Sequence, residues 1–232
     1  MIFGGAKERW NMATDEIVTI DKSLLLGVGG WKSVYIDPRD SKRCIKITHN
    51  GKMPRDVRQE KAYRKARKLR RLPHSELMAE YYGEVKTDLG TGYVYERSAD
   101  YDGATSATIE QLIQWELEAR KQNKTVAEFL ATEKQYPLVF DALMIFREKL
   151  FEEKIIIPDM GAFNYTVEFS APDKWRIRII DDIGCPTLIP LMNYVDYFAQ
   201  KHVKKRWRLF IAEIRKLWPD CLTDDEAAKL LS

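Results

Sequence analysis

Phe151–Gly184, FEEKIIIPDMGAFNYTVEFSAPDKWRIRIIDDIG, decides how the rest of the chain is read. A helix end runs into the apolar stretch Ile155–Ile157 and then into a tight polar loop. Two β-prone segments follow, Tyr165–Phe169 and Trp175–Ile180. Ser170–Lys174 joins them, with Pro172 and Asp173 as turn formers. At the mouths of this hairpin stand Asp159, Asn164 and Asp182. Two carboxylates and an amide oxygen form a hard, oxygen-rich set, and a small dication such as Mg²⁺ takes one or two carboxylates together with phosphate oxygens. Each of the three, taken singly, also fits a loop residue closing a turn. Asp181 is adjacent to Asp182, which leaves open which of the two faces a metal.

Moving outward from the hairpin, Ser23–Leu26, Trp31–Ile36 and Arg43–Ile47 read as a meander of three antiparallel strands. They are punctuated by the turn Gly27-Val28-Gly29-Gly30 and a second turn at Asp37–Lys42. Glycines at 27, 29 and 30 let backbone N–H groups approach phosphate oxygens, although a strand–Gly–strand turn also serves as a plain hairpin. Lys46 lies in CIKI, where Ile45 and Ile47 face one side and Lys46 the other. It either points to water from an edge strand or is buried and paired, and Glu60 on a helix spanning Arg55–Leu72 is the natural partner. A hairpin, Tyr81–Lys86 with Thr91–Ser98, follows. Polar, turn-rich residues 99–108 fit a hinge between two lobes. Helical periodicity then covers Ile109–Gln122, Thr125–Thr132 and Tyr136–Glu153, where Val139, Leu143, Phe146 and Leu150 share a core face. Beyond Gly184, helices are expected at Met192–Trp218 and Thr223–Leu230, the latter opened by a Thr223/Glu226 capping box.

Composition narrows the classes. The 232 residues are 45% hydrophobic, enough for a sizeable core, and 38 basic against 35 acidic residues leave a net charge of +3. The basic stretches Arg55–Arg71 and Lys201–Lys216 read as solvated helix faces, so no specific nucleic-acid partner is expected. Cys44, Cys185 and Cys221 are far apart and odd in number, which gives no disulfide framework. No apolar run is long enough for a signal peptide or a transmembrane segment, so a soluble, cytoplasmic protein is expected.

In order, the chain carries a Gly turn, a strand lysine, a helix glutamate, a hinge, helices, Asp-x4-Asn, a hairpin and Asp-x-Gly. That order resembles the protein-kinase-like superfamily and, more closely, the YrbL family of PhoP regulatory network proteins. The phrases carrying the resemblance are GVGGWKSVYIDPRDSKRCIKI, RQEKAYRK, KTDLGTGYVYERSADYDG, PDMGAFN and IDDIGCPTLIPL, spread over roughly residues 23–191. The resemblance implies an α+β, bilobal kinase-like fold: an N-terminal tail (1–16), a small antiparallel-sheet N-lobe (17–98) and a reduced, mainly helical C-lobe (99–232). It also implies that Gly27, Gly29 and Gly30 cover a nucleotide, that Val34 packs on adenine and that Glu96–Ser98 form the adenine-facing segment. Lys46 would hold the α- and β-phosphates beside Glu60, and Asp159 would orient or deprotonate an acceptor hydroxyl. Asn164 and Asp182 would bind Mg²⁺.

The chain departs from the pattern in several places. Lys32 replaces the third loop glycine, Ile157-Pro158 replaces the His-Arg before the catalytic aspartate, and Gly161 stands where a lysine usually steadies the γ-phosphate. Lys32 offers a substitute cation from the loop. No A-P-E phrase occurs in the 48 residues after Gly184, so a small-molecule, sugar or lipid-linked acceptor is expected rather than a protein. The expectation is an ATP- and Mg²⁺-dependent phosphotransferase; the alternative is a pseudokinase, a nucleotide-binding module that acts by binding a partner.

Overall fold

The computed structural model describes residues 17–49 and 54–232; the expected tail at residues 1–16 lies outside them. The chain is a mixed α+β protein. Its N-terminal part contributes β1 (Leu25–Val28), β2 (Lys32–Asp37), β3 (Asp40–Thr48), α1 (Arg55–Leu69), β4 (Tyr81–Thr87) and β5 (Gly90–Glu96). The meander and the hairpin join into one five-stranded antiparallel sheet ordered β1-β2-β3-β5-β4. Gly92 permits that union, since a Cβ there would lie 2.4 Å from Ile45 Cγ2.

The period of two assigns the faces. Val34 lies opposite Lys46, and Lys46 opposite Tyr93, so these side chains share one face with Cys44 and Tyr95. Val57 of α1 packs against that face. The other face carries Ile45, Ile47 and Val94, closed by Val18 and Ile20. Lys46 is therefore an interior lysine, only 6% exposed.

The second sheet is ordered β6 (Ala107–Thr108), β7 (Tyr165–Ala171) and β8 (Lys174–Ile179), with β7 and β8 forming the anticipated hairpin. Residues 99–108, read as a polar hinge, make pairings to distant parts of the chain. Ala107 and Thr108 pair with Val167 and Thr166, and the buried Asp100 carboxylate accepts from Lys134 Nζ (2.7 Å), Ser106 Oγ (2.7 Å) and the Phe169 amide (3.0 Å). Two residues are too few to show a strand period, and their pairing partners are about sixty residues away.

The helices are α2 (Ile109–Lys121), α3 (Val126–Leu130), α4 (Val139–Glu153), α5 (Asp196–Leu217) and α6 (Asp224–Leu231). Capping boxes open α2, α3 and α6, the last being the Thr223/Glu226 pair expected from sequence. The α4 helix starts three residues later than periodicity predicts, because Pro137 disfavours helical geometry at Tyr136. Likewise α5 starts at Asp196, and Leu191–Asn193 form a separate short 3-10 turn. Interlocked rings of Phe146 (α4), Tyr165 (β7), Trp207 and Phe210 (α5) centre the larger core, with centroids 4.6–5.9 Å apart. The aromatics interleaved in the basic C-terminal stretch are thus largely core residues. Among the described residues no helix is long and apolar enough to cross a membrane.

Candidate functional site

A cleft of about 680 Å³ opens between the β1–β2 turn, the start of α1 and the ends of the β7–β8 hairpin. Gly29, Gly30, Trp31 and Lys32 line it from the turn, Asp56 and Gln59 from α1, and Asn164, Asp181 and Asp182 from the hairpin. Backbone hydrogen bonds set the hairpin ends. The Ile180 amide donates to the Asn164 carbonyl (2.9 Å), and the buried Asn164 Nδ2 donates to Asp182 Oδ2 (3.0 Å). The chain then turns sharply, with φ of +57° at Asp182 and +119° at Gly184, and the Gly184 amide donates to the Ile156 carbonyl (2.8 Å). Asn164, at the end of a short 3-10 turn, flanks this turn.

The neighbouring aspartates are divided by this turn. Asp181 accepts from Lys32 Nζ (2.7 Å) and Lys46 Nζ (3.3 Å). Burial opposes its charge, yet the two ammonium groups overcome that and hold Asp181 at about 2. Among the described residues no lysine lies within bonding distance of Asp182; burial first, then the charge of Asp181, pushes it up to about 6. Lys32 also bonds Asp56 Oδ2 (2.5 Å), so it bridges two carboxylates across the cleft. Burial pulls the Lys32 ammonium down, but Asp181 and Asp56 raise it further and keep it charged.

The structure corrects one pairing. Lys46 does not meet Glu60: its ammonium bonds the Ile180 carbonyl (2.5 Å) and Asp181, and lies 4.3 Å from the centre of the Tyr95 ring. Glu60 is taken by Arg64 one helical turn on (2.6 Å) and by the Tyr95 hydroxyl (2.9 Å). The Glu-x3-Arg spacing in α1 announces that competitor.

The other expected residues fall in several places. Gly29, Gly30, Lys32, Asn164 and Asp182 line the cleft, and Gly27 lies in β1 outside the lining. Asp159 is exposed, between the cleft-lining Pro158 and Phe163, and is not part of the acidic cluster. Together with burial and Asp182, it raises the Tyr165 hydroxyl. Val34 packs with Cys44, Val57, Tyr93 and Tyr95. The side chains of Glu96 and Ser98 turn away from the cleft, Glu96 to Arg178 and Ser98 to Thr166 (2.7 Å) and Glu168 (3.2 Å).

Asp56 was not singled out by sequence reasoning. Its ligand oxygen lies with those of Asp181 and Asp182 in a group whose members are all within 4.8 Å. In the sequence it reads as an ordinary first-turn acid favoured by the helix dipole, and no local signal marks it otherwise. The donor set Asp182, Asn164, Asp181 and Asp56 is all oxygen and fits a hard dication.

A pH prediction follows. Because the folded Asp182 releases its proton at about 6 and the unfolded one near the ordinary 3.8, the native state holds the extra proton between those values. The Asp182 contribution to stability therefore declines as pH rises from about 4 to about 6. Asp182→Asn should flatten that slope and raise the metal-free thermal midpoint at pH 7; an unchanged slope would remove Asp182 from this role.

A family model described as PhoP regulatory network protein YrbL matches residues 18–215, a stretch containing the whole cleft lining. Two curated relatives, each named "Uncharacterized protein YrbL", come from Escherichia coli (strain K12) and Shigella flexneri. Each is 28% identical over 199 residues, covering 85% of this chain and 88% of the relative.

Proposed function

The chain belongs to the PhoP regulatory network protein YrbL family, and from the cleft inside the matched stretch we propose that it is an ATP- and Mg²⁺-dependent phosphotransferase with a bilobal, protein-kinase-like fold. The acceptor is a hydroxyl on a small molecule, a sugar or a lipid-linked group. One observation carries the reading: a Gly turn, Lys32, Asn164 and the Asp181–Asp182 pair, far apart in sequence, line a single cleft of about 680 Å³, and the buried Lys46 reaches Asp181 from behind it. A triphosphate needs cations, backbone donors and a hard metal site together.

In this reading Asp182 and Asn164 hold Mg²⁺, which when bound neutralises charge on the phosphate oxygens. Lys46 sits on the sheet wall and exchanges part of its bond with Asp181 for a phosphate oxygen. Lys32, on the turn itself, is placed to supply the charge that Gly161 lacks. Asp159, exposed beside the mouth and outside the acidic cluster, orients the acceptor hydroxyl and takes its proton. Val34, half-buried on the Lys46 face of the sheet, packs on the base in this reading.

A second reading, nucleotide binding without transfer, draws on the engagement of Glu60 by Arg64 and Tyr95 and on the absence of a lysine at 161. Thermal midpoints with ATP, with Mg²⁺ and with both separate the two. Ligand at 100 times Kd adds ~2.7 kcal/mol, and Asp182→Asn should remove the Mg²⁺-dependent part. ADP release on an acceptor panel then establishes transfer, and binding without ADP release leaves the second reading. No midpoint shift in the native protein would overturn both.

A further inference from the structure

Residues 186–198 expose a concentration of large apolar side chains that the cleft does not use. Leu188 is 99% exposed, Ile189 69% and Tyr197 67%, and Leu191, Tyr194 and Phe198 are exposed beside them. Such exposure is unfavourable in water, and contiguous apolar patches mark interaction surfaces. The backbone beneath them is pinned: Leu191 N donates to the Ile189 carbonyl (2.9 Å), Val195 N to the Leu191 carbonyl (2.9 Å) and Thr187 Oγ1 to the Ile189 carbonyl (2.8 Å). Arg55 Nη2 holds the Pro186 carbonyl (2.5 Å) and Arg70 Nη1 the Asn193 carbonyl (3.3 Å). Asn193 points inward, 1% exposed. A hydrogen-bonded frame thus presents bare aliphatic tips.

The frame runs directly into α5. One stripe of that helix, Ala199, Val203, Trp207, Phe210 and Ile214, is buried. The opposite stripe, at i, i+4, i+7 and i+11, is Tyr197, Lys201, Lys204 and Arg208, with Lys205 alongside, all exposed. Among the described residues none of these four cations has an ion-pair partner. By contrast, Asp196 at the head of the helix is already engaged by Arg70 and Lys154.

We propose that this face docks an anionic phospholipid bilayer, Leu188, Ile189, Tyr197 and Phe198 entering the acyl boundary while Lys201, Lys204, Lys205 and Arg208 meet lipid phosphates. Shallow apolar insertion and a basic patch are each weak alone and give stable docking together. Charge complementarity selects the bilayer: a nucleic acid would use the cations but leave Leu188 and Ile189 in water, whereas a lipid surface satisfies both. Pro186 lines the cleft two residues before Leu188, so the docking face adjoins the cleft. The inference stands without nucleotide chemistry and extends the acceptor class toward lipid-carried hydroxyls.

Co-sedimentation of the full chain with vesicles tests it, in the absence of nucleotide, so that failure here and failure of the phosphotransferase reading are distinguishable. Vesicles of phosphatidylcholine with phosphatidylglycerol should retain the protein, less so as salt rises, and phosphatidylcholine alone should not. Each basic side chain is worth about fivefold in partitioning, so the triple variant Lys201→Glu/Lys204→Glu/Lys205→Glu should lose at least about 100-fold. Leu188→Asp/Ile189→Asp should lose at least about tenfold. All five positions are exposed, and an unchanged thermal midpoint verifies the fold. Absent binding, or equal binding to neutral vesicles, overturns the proposal. So does an oligonucleotide complex lost with the lysines but not with Leu188, or a dimer in sedimentation velocity that Leu188→Asp dissolves.

Discussion

Asp181→Ala should cost about 3–5 kcal/mol of folding free energy at neutral pH, because removing one partner of a buried ion pair leaves the other charge stranded. The stranded charge is Lys46, whose side chain is 7% exposed and whose remaining polar and ring contacts among the described residues are one carbonyl and the Tyr95 ring. Lys32 keeps Asp56 and suffers less. Acid titration gives an independent check. Two ammonium partners hold the folded Asp181 at about 2, below the ordinary 3.8, so its contribution is complete above about pH 4 and disappears as pH falls toward about 2. That difference is worth about 2 kcal/mol. The substitution should remove this acid-sensitive component, as read from urea midpoints between pH 2 and 7. The adjacent Asp182→Asn should act oppositely on the metal-free protein, so the pair separates a counter-ion from a group kept under electrostatic stress. Equal and small costs for both would show that Lys46 does not depend on Asp181.

The second large effect is expected at Gly184→Ala. With φ at +119°, alanine is strained there, and its Cβ would lie 2.6 Å from the Gln59 carbonyl oxygen and 3.0 Å from the Glu60 amide nitrogen. Both are backbone atoms of α1 and cannot swing aside. Strain and overpacking each cost about 1–3 kcal/mol, so a loss of at least about 2 kcal/mol is expected. The damage also reaches the cleft, because α1 carries Asp56 and Gln59 into its lining. Gly161→Ala is the control: φ there is −92°, and the nearest atoms its Cβ would meet belong to the ring of Phe163, an exposed side chain rather than backbone. It should cost less than about 1 kcal/mol. A Gly184 variant no less stable than the Gly161 variant would mean that α1 does not rest on the Asp-x-Gly turn as described.

The neighbourhood of Gly184 shows how far sequence carries. Its place after two strand-like segments was legible because turn chemistry and the period of two are local properties. The same holds for the β7–β8 hairpin, for the Thr223/Glu226 capping box and for Lys46 facing away from Ile45 and Ile47 on β3. Each depends on residues within a few positions of one another, where backbone geometry alone decides which side chains meet.

Partners were not legible. Fourteen residues separate Lys46 from Glu60, and 135 separate it from Asp181, yet the distant carboxylate takes the ammonium. Glu60 was lost to a closer competitor on its own helix and to a tyrosine from β5. Asp56 joined the cluster only because α1 packs against the Gly184 turn, and Ala107–Thr108 became β6 only because β7 lies beside them. The amino-acid order by itself determined the strands, the turns, the caps and the acidic, amide and basic groups available to a phosphate site. Tertiary structure alone decided which charges neutralise one another and which remain for a ligand. The reason is that ion pairing depends on through-space distance and burial, and packing brings together groups whose separation along the chain carries no such information.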